Sequence, residues 1–305
     1  MQPTIVLTAR FPSVIREILG GLCDLIEHPT EQARSEEDMI TILSEADGAI
    51  TLLSDPITRA VLASNRDLKI VANYAVGYNN VDVDAARELG VRVTNTPGVL
   101  TEATADLTMA LMLATTRRLI EGDREVRATG RCEWEPLKLL GISLQNKRLG
   151  ILGMGRIGNA VATRAKAFGM EVQGVRRGDP LDQIVATSDI LSVHVPLTSE
   201  TQKLIDADFL AKMKSGSYLI NTARGAIVDE EALCDALESG HLAGAGLDVY
   251  QDEPRVHPRL LALANVVVLP HIGSATAEAR NAMARIAAEE VARFLRGEPA
   301  RHAIR

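Results

Sequence analysis

Leu149-Gly-Ile-Leu-Gly-Met-Gly-Arg-Ile-Gly158 is the stretch of sequence that decides the fold. It begins as a short apolar run, typical of a buried strand, and ends in the pattern Gly153-x-Gly155-x-x-Gly158. Residues 156–168 follow with apolar side chains three or four residues apart, which predicts a helix. In such a unit the first glycine forms the tight turn, the second leaves room for a pyrophosphate, and the third lets the helix approach the strand. The stretch therefore predicts a dinucleotide site at the N-terminus of a helix.

The end of the next predicted strand, residues 170–175, indicates which dinucleotide is bound. NAD-selective sites usually place an acidic residue about 20 residues after the glycines, where it binds the ribose 2′-hydroxyl. This chain has Arg176 and Arg177 instead. Two guanidinium groups suit a dianionic 2′-phosphate, although they could also form a solvated charged loop. We therefore expect NADP(H) to be preferred, with NAD(H) possible.

Composition is that of an ordinary globular protein, with 46% hydrophobic and 24% charged residues among 305. The net charge of −7 and the lack of a basic patch argue against a nucleic-acid partner. Cys23, Cys132 and Cys234 are scattered and have no metal-ligand spacing, so we expect reduced thiols and no metal. We find no signal peptide and no apolar run near the roughly 18 residues that span a membrane, which predicts a cytoplasmic protein.

Strands and helices alternate along the chain, which predicts an α/β protein with parallel sheets. Predicted strands in the first hundred residues are 5–7, 49–53, 68–72 and 91–94, with helices at 14–22 and 57–63. A long, mostly apolar helix over 102–118 is expected to be buried between two domains. The second α/β unit begins at the glycine motif, with later strands at 190–195, 217–221, 245–249 and 266–269, and an amphipathic helix over 275–296 ends the chain.

Motifs along nearly the whole chain together resemble the D-isomer-specific 2-hydroxyacid dehydrogenases, most closely the glyoxylate/hydroxypyruvate reductase branch. The stretches that carry the resemblance are Val71–Asp82, Thr94–Thr101, Ala103–Leu107, Gly153–Gly158, Val195–Thr198, Asn221–Gly225, Gly246–Val249, Asp252–Pro254 and Pro270–Ser274. The resemblance implies two Rossmann-like or flavodoxin-like domains with parallel sheets, the cofactor domain being inserted in the substrate domain. Residues 1–97 plus 276–305 would form the substrate-binding domain and 98–275 the NAD(P)-binding domain, with the active site between them.

Three residues match the catalytic positions of that family: Arg224, Glu253 and His271. Protonated His271 would donate to the carbonyl oxygen of a 2-keto acid during reduction. Glu253 would orient the ring and favour its charged form. Arg224 would hold the carboxylate and keto oxygens. Taken alone, the histidine could be structural, the arginine a surface ion pair, and the glutamate a loop charge beside Asp252.

The resemblance also implies the remaining site residues. In the 74–78 loop, the amides of Val76 and Gly77 would bind the substrate carboxylate, with Leu53 and Tyr74 lining the pocket; the alternative for the loop is a plain tight turn. Asp248 would accept from the nicotinamide carboxamide, and Thr104 would reach the phosphates. The full predicted cofactor set is Thr104, Gly153, Gly155, Arg156, Ile157, Gly158, Arg176, Arg177, His194, Pro196, Thr222, Ala223, Asp248 and Ser274. His194 could equally be a core histidine.

The segment between Arg177 and Ser192 is about a dozen residues shorter than in relatives. Connections between helices and strands are usually shorter than that, so the difference is too large to be a shortened loop alone. We therefore predict that the outermost strand of the cofactor sheet is absent and that the adenine end of the site is open. This places more of the NADP(H) discrimination on the two arginines.

The expected activity is reduction of glyoxylate, hydroxypyruvate or a similar short 2-keto acid to the D-2-hydroxy acid. Alternatives are a dehydrogenase of a larger or phosphorylated D-2-hydroxy acid, remotely a phosphite-type oxidation, and a dinucleotide-sensing binding protein of the same fold. The family's usual state predicts a homodimer. The region of Trp134 reaches the partner subunit in relatives, so Trp134 would lie in an interface or, equally, pack in the core.

Overall fold

The structure is a computed structural model that describes residues 2–30 and 32–304. The chain divides into two compact units. Unit 1 is Met1–Leu100 with Ala275–Arg305, and unit 2 is Thr101–Ser274. Both are α/β units built on parallel sheets, which confirms the predicted fold class.

Unit 1 contains a five-stranded sheet in which every neighbouring pair of strands is parallel, in the order 24–27, 4–7, 48–51, 70–73 and 92–94. This is the flavodoxin-like strand order. Its two faces carry separate apolar clusters, as parallel sheets covered on both sides require. The elements are β1 (Thr4–Leu7), α1 (Val14–Leu19), β2 (Asp24–Glu27), α2 (Glu36–Ile42), β3 (Gly48–Thr51), α3 (Arg59–Ser64), β4 (Ile70–Asn73), α4 (Val83–Leu89), β5 (Arg92–Thr94) and α12 (Ala277–Leu295).

The C-terminal part of the chain completes unit 1. Helix α12 buries Met283, Ala287 and Val291 in the same cluster as residues of β1, β3 and β4. After the helix, the Ile304 N–H donates to the Val93 carbonyl at 2.9 Å, and the Asn95 N–H donates to the His302 carbonyl at 3.3 Å. Residues 302–304 therefore lie along β5, at the edge of the sheet.

Unit 2 contains a six-stranded parallel sheet in the order 266–268, 242–247, 217–221, 190–193, 148–152 and 171–175. Apolar clusters again cover both faces. Its elements are α5 (Thr101–Thr116), α6 (Leu119–Thr129), β6 (Arg148–Leu152), α7 (Arg156–Ala167), β7 (Glu171–Val175), α8 (Asp182–Thr187), β8 (Ile190–Val193), α9 (Ala207–Lys212), β9 (Ser217–Asn221), a short 3-10 helix (Gly225–Ile227), α10 (Glu230–Glu238), β10 (Leu242–Leu247), α11 (Pro258–Ala262) and β11 (Val266–Val268).

The sheet of unit 2 ends at β7. This strand pairs only with β6 in the part of the chain that the structure describes, and the chain passes from β7 through a turn directly into α8. A Rossmann sheet has a third strand beyond the second. The edge position of β7 agrees with the prediction made from the short segment after Arg177.

Helix α5 supplies much of the core on one face of unit 2. It packs against α7 and against strands β9, β10 and β11. The predicted helix over 102–118 is thus two residues shorter at its C-terminus, because Arg118 takes a left-handed conformation (φ +54°) that ends the helical path. One side of the helix is buried and the other is exposed. Leu111 and Met112 are buried, whereas Glu102 and Asp106 face outward and pair with Arg164 of α7.

No helix among the described residues is both long and apolar enough to cross a membrane.

Candidate active site

The turn after β6 has the geometry that its glycines predict. Gly153 has φ +101°, and a Cβ there would lie 2.7 Å from the His194 carbonyl carbon. A Cβ on Gly158 would lie 2.2 Å from the Gly153 carbonyl oxygen, so the helix could not come this close with any other residue. By contrast, a Cβ on Gly155 would meet no atom within 4 Å. The protein leaves this space open at the N-terminus of the twelve-residue helix α7, where backbone N–H groups and the helix dipole favour an anion.

This turn lies at the switch point of the sheet. Strands β7 and β8 flank β6 on opposite sides, and ligands of open α/β sheets bind outside the carboxyl ends of the strands at such a point. His194 follows β8 directly there. Its Nε2 lies 2.9 Å from the Ser192 Oγ, and burial lowers the pKa of its imidazole to about 4. The ring is therefore neutral and bonded to its own strand.

The structure brings His271, Glu253 and Arg224 together within unit 2. The His271 Nδ1 lies 2.8 Å from the Glu253 Oε2, and the two side chains are 23% and 30% exposed. Arg224 precedes Gly225, whose backbone contacts Tyr250 of the loop that carries Glu253, and the Arg224 charge helps to lower the pKa of Glu253. An imidazole oriented by a carboxylate, with a guanidinium beside it, can deliver a proton and hold an anion at the same place.

His271 owes its position to Asp248. The His271 backbone has φ +55°, a left-handed conformation that costs a non-glycine residue about 1–2 kcal/mol. Both carboxylate oxygens of the fully buried Asp248 accept from the backbone just beyond it: the Ile272 N–H and the Gly273 N–H donate at 2.8 Å each. Two such bonds outweigh the backbone cost and fix the direction in which the imidazole leaves the chain.

The second carboxylate oxygen of Glu253, which does not contact His271, accepts a backbone hydrogen bond. The Glu253 Oε1 accepts the Tyr250 N–H at 2.9 Å, and the Gln251 N–H donates to the Glu230 Oε1 at 2.7 Å. The Tyr250 hydroxyl in turn donates to the Leu269 carbonyl, 2.8 Å away. These contacts tie the 250–253 loop to helix α10 and to the end of the strand that precedes His271.

Arg224 stands in a loop that follows β9. The buried Asn221 side chain accepts the Ala223 N–H and donates to the Arg224 carbonyl, both at 3.0 Å. At the next residue, a Cβ on Gly225 would lie only 1.8 Å from the Tyr250 carbonyl carbon. The two loops that carry Arg224 and Glu253 are therefore in direct backbone contact, and this packing requires the glycine.

Electrostatics favour a charged glutamate and a charged arginine. Burial raises the pKa of Glu253, but the hydrogen bond and charge of His271, the Tyr250 N–H and the Arg224 charge together bring it below its ordinary value. Burial lowers the pKa of Arg224, and the Glu253 charge opposes this. A guanidinium stays protonated across the physiological range, so the group holds one fixed cation and one fixed anion around the imidazole.

Other predicted cofactor residues lie near these elements. Thr104, on α5, is buried within 4 Å of where a Gly273 Cβ would stand, which places it beside the His271 loop. The Thr222 hydroxyl is 2.9 Å from that of Thr108 and is buried with it. Arg156 and Ile157 form the first turn of α7. Pro196 and Ala223 have carbonyls that accept from Thr201 and Arg224, and Ser274 ends unit 2.

Arg176 and Arg177 follow the last residue of β7 and are exposed. The Arg176 N–H donates to the Asp179 carboxylate at 2.7 Å, which closes the turn. The Arg177 side chain is 85% exposed and pairs with Glu200, which is 59% exposed. Both guanidinium groups thus lie at the open edge of the sheet.

The predicted substrate residues belong to unit 1. The loop of Val76 and Gly77 follows β4, and both residues are half-buried, as is Leu53 after β3. The Tyr74 ring is 4% exposed, packs edge-on against Phe11 with ring centroids 5.0 Å apart, and donates its hydroxyl hydrogen bond to the Arg280 carbonyl. The side chain of Tyr74 is therefore part of the core of unit 1, a contact that the sequence did not predict.

Sequence reasoning missed the residues that hold the group in place, above all Tyr250, Glu230 and the asparagine side chain of Asn221. Their roles depend on contacts with loops that are distant in sequence. Of these three, only Asn221 could have been recognised from the sequence, because an asparagine at the end of a strand often forms hydrogen bonds with backbone groups of the following loop. No group of three or more His, Cys, Asp or Glu within residues 2–30 and 32–304 could hold a metal ion.

Comparison with known proteins assigns the family. The model of the D-isomer specific 2-hydroxyacid dehydrogenase NAD-binding domain matches residues 109–273. Glyoxylate reductase of Thermococcus litoralis is 42% identical over 98% of this chain and 95% of its own length. Glyoxylate reductase of Korarchaeum cryptofilum is 43% identical over 98% and 94%. The crystal structure of an NADPH-dependent glyoxylate/hydroxypyruvate reductase from Sinorhizobium meliloti, in complex with NADP and malonate, is 33% identical, with a TM-score of 0.86 over 100% of this chain and 97% of that one.

The chain belongs to the D-isomer-specific 2-hydroxyacid dehydrogenases. The predicted family is thereby confirmed. As a member it is an oxidoreductase that uses a nicotinamide dinucleotide, and the glycine turn before α7 has the shape and free space that this cofactor needs.

Proposed function

We propose that the protein reduces short 2-keto acids, glyoxylate and hydroxypyruvate among them, to D-2-hydroxy acids, with NADPH preferred and NADH usable. The observation that carries the proposal is the His271–Glu253 pair with Arg224 beside it. The names of the two archaeal relatives and of the Sinorhizobium enzyme support the choice of substrate and, for the latter, of cofactor.

The chemistry assigned to these side chains follows from their charges. When bound, the nicotinamide supplies a hydride to the carbonyl carbon of the substrate. His271 gives its proton to the carbonyl oxygen as negative charge develops there, and in the reverse direction takes it from the hydroxyl. Glu253 stabilises the imidazolium through the 2.8 Å contact. Arg224 neutralises the substrate carboxylate and orients the carbon that reacts.

Substrate recognition is proposed for unit 1, with cofactor binding proposed for unit 2. The N–H groups of Val76 and Gly77 would bind the carboxylate, and Leu53 would limit the size of the substrate side chain. Tyr74 would act through its packing next to that loop. Asp248, whose oxygens each accept one backbone N–H, retains lone pairs for the cofactor carboxamide.

The preference for NADPH is assigned to Arg176 and Arg177. They are exposed at the end of β7, with no further strand beyond it among the described residues, so a 2′-phosphate could approach both. Glu200 is the carboxylate that such a phosphate would displace from Arg177. Because the pair is exposed, breaking it costs no more than about 1 kcal/mol.

The active form is proposed to be a homodimer. The segment from α6 to residue 140 exposes large apolar side chains, with Trp134 at 85% and Leu137 at 81% exposure. Apolar surface of this kind marks an interaction site. The cytoplasmic location predicted from the sequence stays a prediction.

A substrate panel with both cofactors tests the proposal. We expect turnover of glyoxylate and hydroxypyruvate with a kcat/KM higher for NADPH than for NADH. Higher activity on larger or phosphorylated 2-keto acids would favour the alternative dehydrogenase. Nucleotide binding without turnover of any 2-keto acid would favour a dinucleotide-sensing protein.

The variant His271→Ala tests the chemistry directly. The change should lower kcat about 10²–10⁴-fold while the Kd of NADPH stays that of the wild type. A suitable control is His241→Ala, because the Nε2 of that ring lies 3.0 Å from the Leu210 carbonyl of α9. Full activity of His271→Ala would refute the assignment of the proton donor.

A further inference from the structure

In the loop of residues 75–78, the carbonyl oxygens of residues 75–77 accept hydrogen bonds, whereas the N–H groups of residues 76–78 have no hydrogen-bond acceptor among the described residues. Three consecutive carbonyls accept hydrogen bonds within unit 1: Ala75 from the Thr96 N–H at 2.9 Å, Val76 from the Asn95 side chain at 2.8 Å, and Gly77 from the Asn73 side chain at 2.9 Å. Within residues 2–30 and 32–304, the N–H groups of Val76, Gly77 and Tyr78 donate to no acceptor.

Peptide geometry links these two facts. In a trans peptide the C=O of one residue and the N–H of the next lie in one plane and point in opposite directions. Binding the carbonyls of residues 75, 76 and 77 therefore aims the N–H groups of residues 76, 77 and 78 away from the sheet. Successive N–H groups that point the same way form an anion-binding concavity.

The two asparagines are themselves well fixed. Asn73 is fully buried at the end of β4, and its Oδ1 accepts from the Asn80 side chain, which also donates to the carbonyls of Leu52 and Asp55. Asn95 is half-buried, and its own N–H donates to the carbonyl of His302. The Asn73 amide therefore presents its NH₂ group to the loop in one orientation, and the backbone of Asn95 is anchored beside the loop.

We propose that Asn73 and Asn95 are positioning residues that hold the backbone of residues 76–78 as a three-donor cradle for the substrate carboxylate. The cradle adds the Tyr78 N–H to the two donors already assigned, and Asn73 is the residue that aims it. This inference rests on the proposed function, because the carboxylate is the ligand that the proposed reaction supplies.

We call Asn73 and Asn95, bound to the carbonyls of Gly77 and Val76, the clamp. Two isosteric variants test it. In Asn95→Asp the Val76 carbonyl faces a carboxylate instead of a donor. In Asn73→Asp the Gly77 carbonyl does so, while the acceptor for Asn80 is retained. The probes are glyoxylate in steady-state assays, and oxamate, an unreactive carboxylate of similar size, in calorimetric titration of the NADPH-loaded protein.

The matched control is Asn65→Asp. Asn65 is also buried in unit 1, and its amide donates to the carbonyls of Leu43 and Ala46 at 2.8 Å each, away from the 76–78 loop. All three variants lose the same kind of bond and should have lower thermal midpoints. Only the loss of the clamp should change binding of the carboxylate.

We expect Asn73→Asp and Asn95→Asp to raise the KM of glyoxylate and the Kd of oxamate about tenfold or more, because each misaligns a donor to a charged group. Their kcat and their Kd for NADPH should change less than about threefold, since binding of the carboxylate is common to ground and transition states. The Asn65→Asp control should retain the wild-type KM and Kd.

Each result distinguishes the inference from the function on which it rests. Wild-type protein that turns over no 2-keto acid contradicts the proposed function, and the ratio of oxamate Kd between variant and wild type still tests the clamp. An unchanged oxamate Kd in Asn95→Asp overturns the clamp, and an unchanged Kd in Asn73→Asp alone removes Tyr78 from the cradle. If the wild-type protein turns over glyoxylate but binds no oxamate, an unchanged KM of glyoxylate in both variants overturns the clamp.

Discussion

Asp248→Asn is the substitution that tests how His271 is held. The aspartate accepts two backbone N–H groups at 2.8 Å with a fully buried carboxylate, and the residue that it positions has φ +55°. An asparagine keeps the size of the side chain but has one oxygen. Its NH₂ group would face either the Ile272 or the Gly273 N–H, donor against donor.

The expected size of the effect follows from those two bonds. A hydrogen bond to a charged group contributes about 1.5–3 kcal/mol, and the left-handed backbone at His271 costs about 1–2 kcal/mol. Together the two bonds contribute more free energy than the left-handed backbone costs, and losing one of them removes most of that net stabilisation of the loop. If that loss appears in the barrier, kcat falls about 10- to 150-fold, at 1.36 kcal/mol for each factor of ten.

The assay follows NADPH absorbance with glyoxylate, together with the Kd of NADPH and the free energy of unfolding in urea. The matched control is Asp189→Asn, since Asp189 also accepts a backbone N–H, that of Arg148 at 2.8 Å, in the same unit. It should lose stability while retaining kcat. A wild-type kcat in Asp248→Asn, or a weaker NADPH affinity at unchanged kcat, would refute the positioning role.

Three further predictions concern the glycine turn, the carboxylate of the triad and the apolar surface. Gly158→Ala places a methyl group 2.2 Å from a backbone oxygen and should cost about 1–3 kcal/mol of unfolding free energy, whereas Gly155→Ala should keep stability and lose dinucleotide affinity, both measurable by urea denaturation and titration. Glu253 has a lowered pKa in the folded state, so its contribution to stability is full above its ordinary pKa of 4.5 and is lost as the pH falls below it. The difference in unfolding free energy between wild type and Glu253→Gln should therefore shrink on acidification, and a difference independent of pH would contradict this. Trp134→Asp with Leu137→Asp should shift sedimentation from dimer to monomer, and an unshifted dimer would exclude this surface.

The parts of the fold that depend on local chemistry were predictable. The β6–turn–α7 unit follows from three glycines at fixed spacing, and the edge position of β7 follows from the shortness of the segment after it. Strand β2 was missed because Asp24-Leu-Ile-Glu27 is short, half exposed and bounded by charges, as suits the edge of a sheet. Helix α6 was missed because it buries none of its residues and so lacks an apolar periodicity that faces a core.

The site was predictable only as a set of residue types. Motifs that resemble a known family picked out His271, Glu253 and Arg224, but their closeness depends on loops that meet after the sheet has formed. The left-handed backbone at His271 could not be foreseen, because an aspartate 23 residues earlier stabilises it. Likewise, nothing local to Val76 indicates that a distant asparagine binds its carbonyl.

The way in which unit 1 takes residues from both parts of the chain has a consequence for biosynthesis. Helix α12 fills the core beneath β1, β3 and β4, so the first hundred residues leave the ribosome with that face bare. Unit 2 is contiguous and can fold during translation, since domains generally fold as units as they emerge. The loop of residues 75–78 thus reaches its final form only when the segment after residue 275 has been synthesised, and until then the apolar face that helix α12 covers in the folded protein is exposed on the nascent polypeptide.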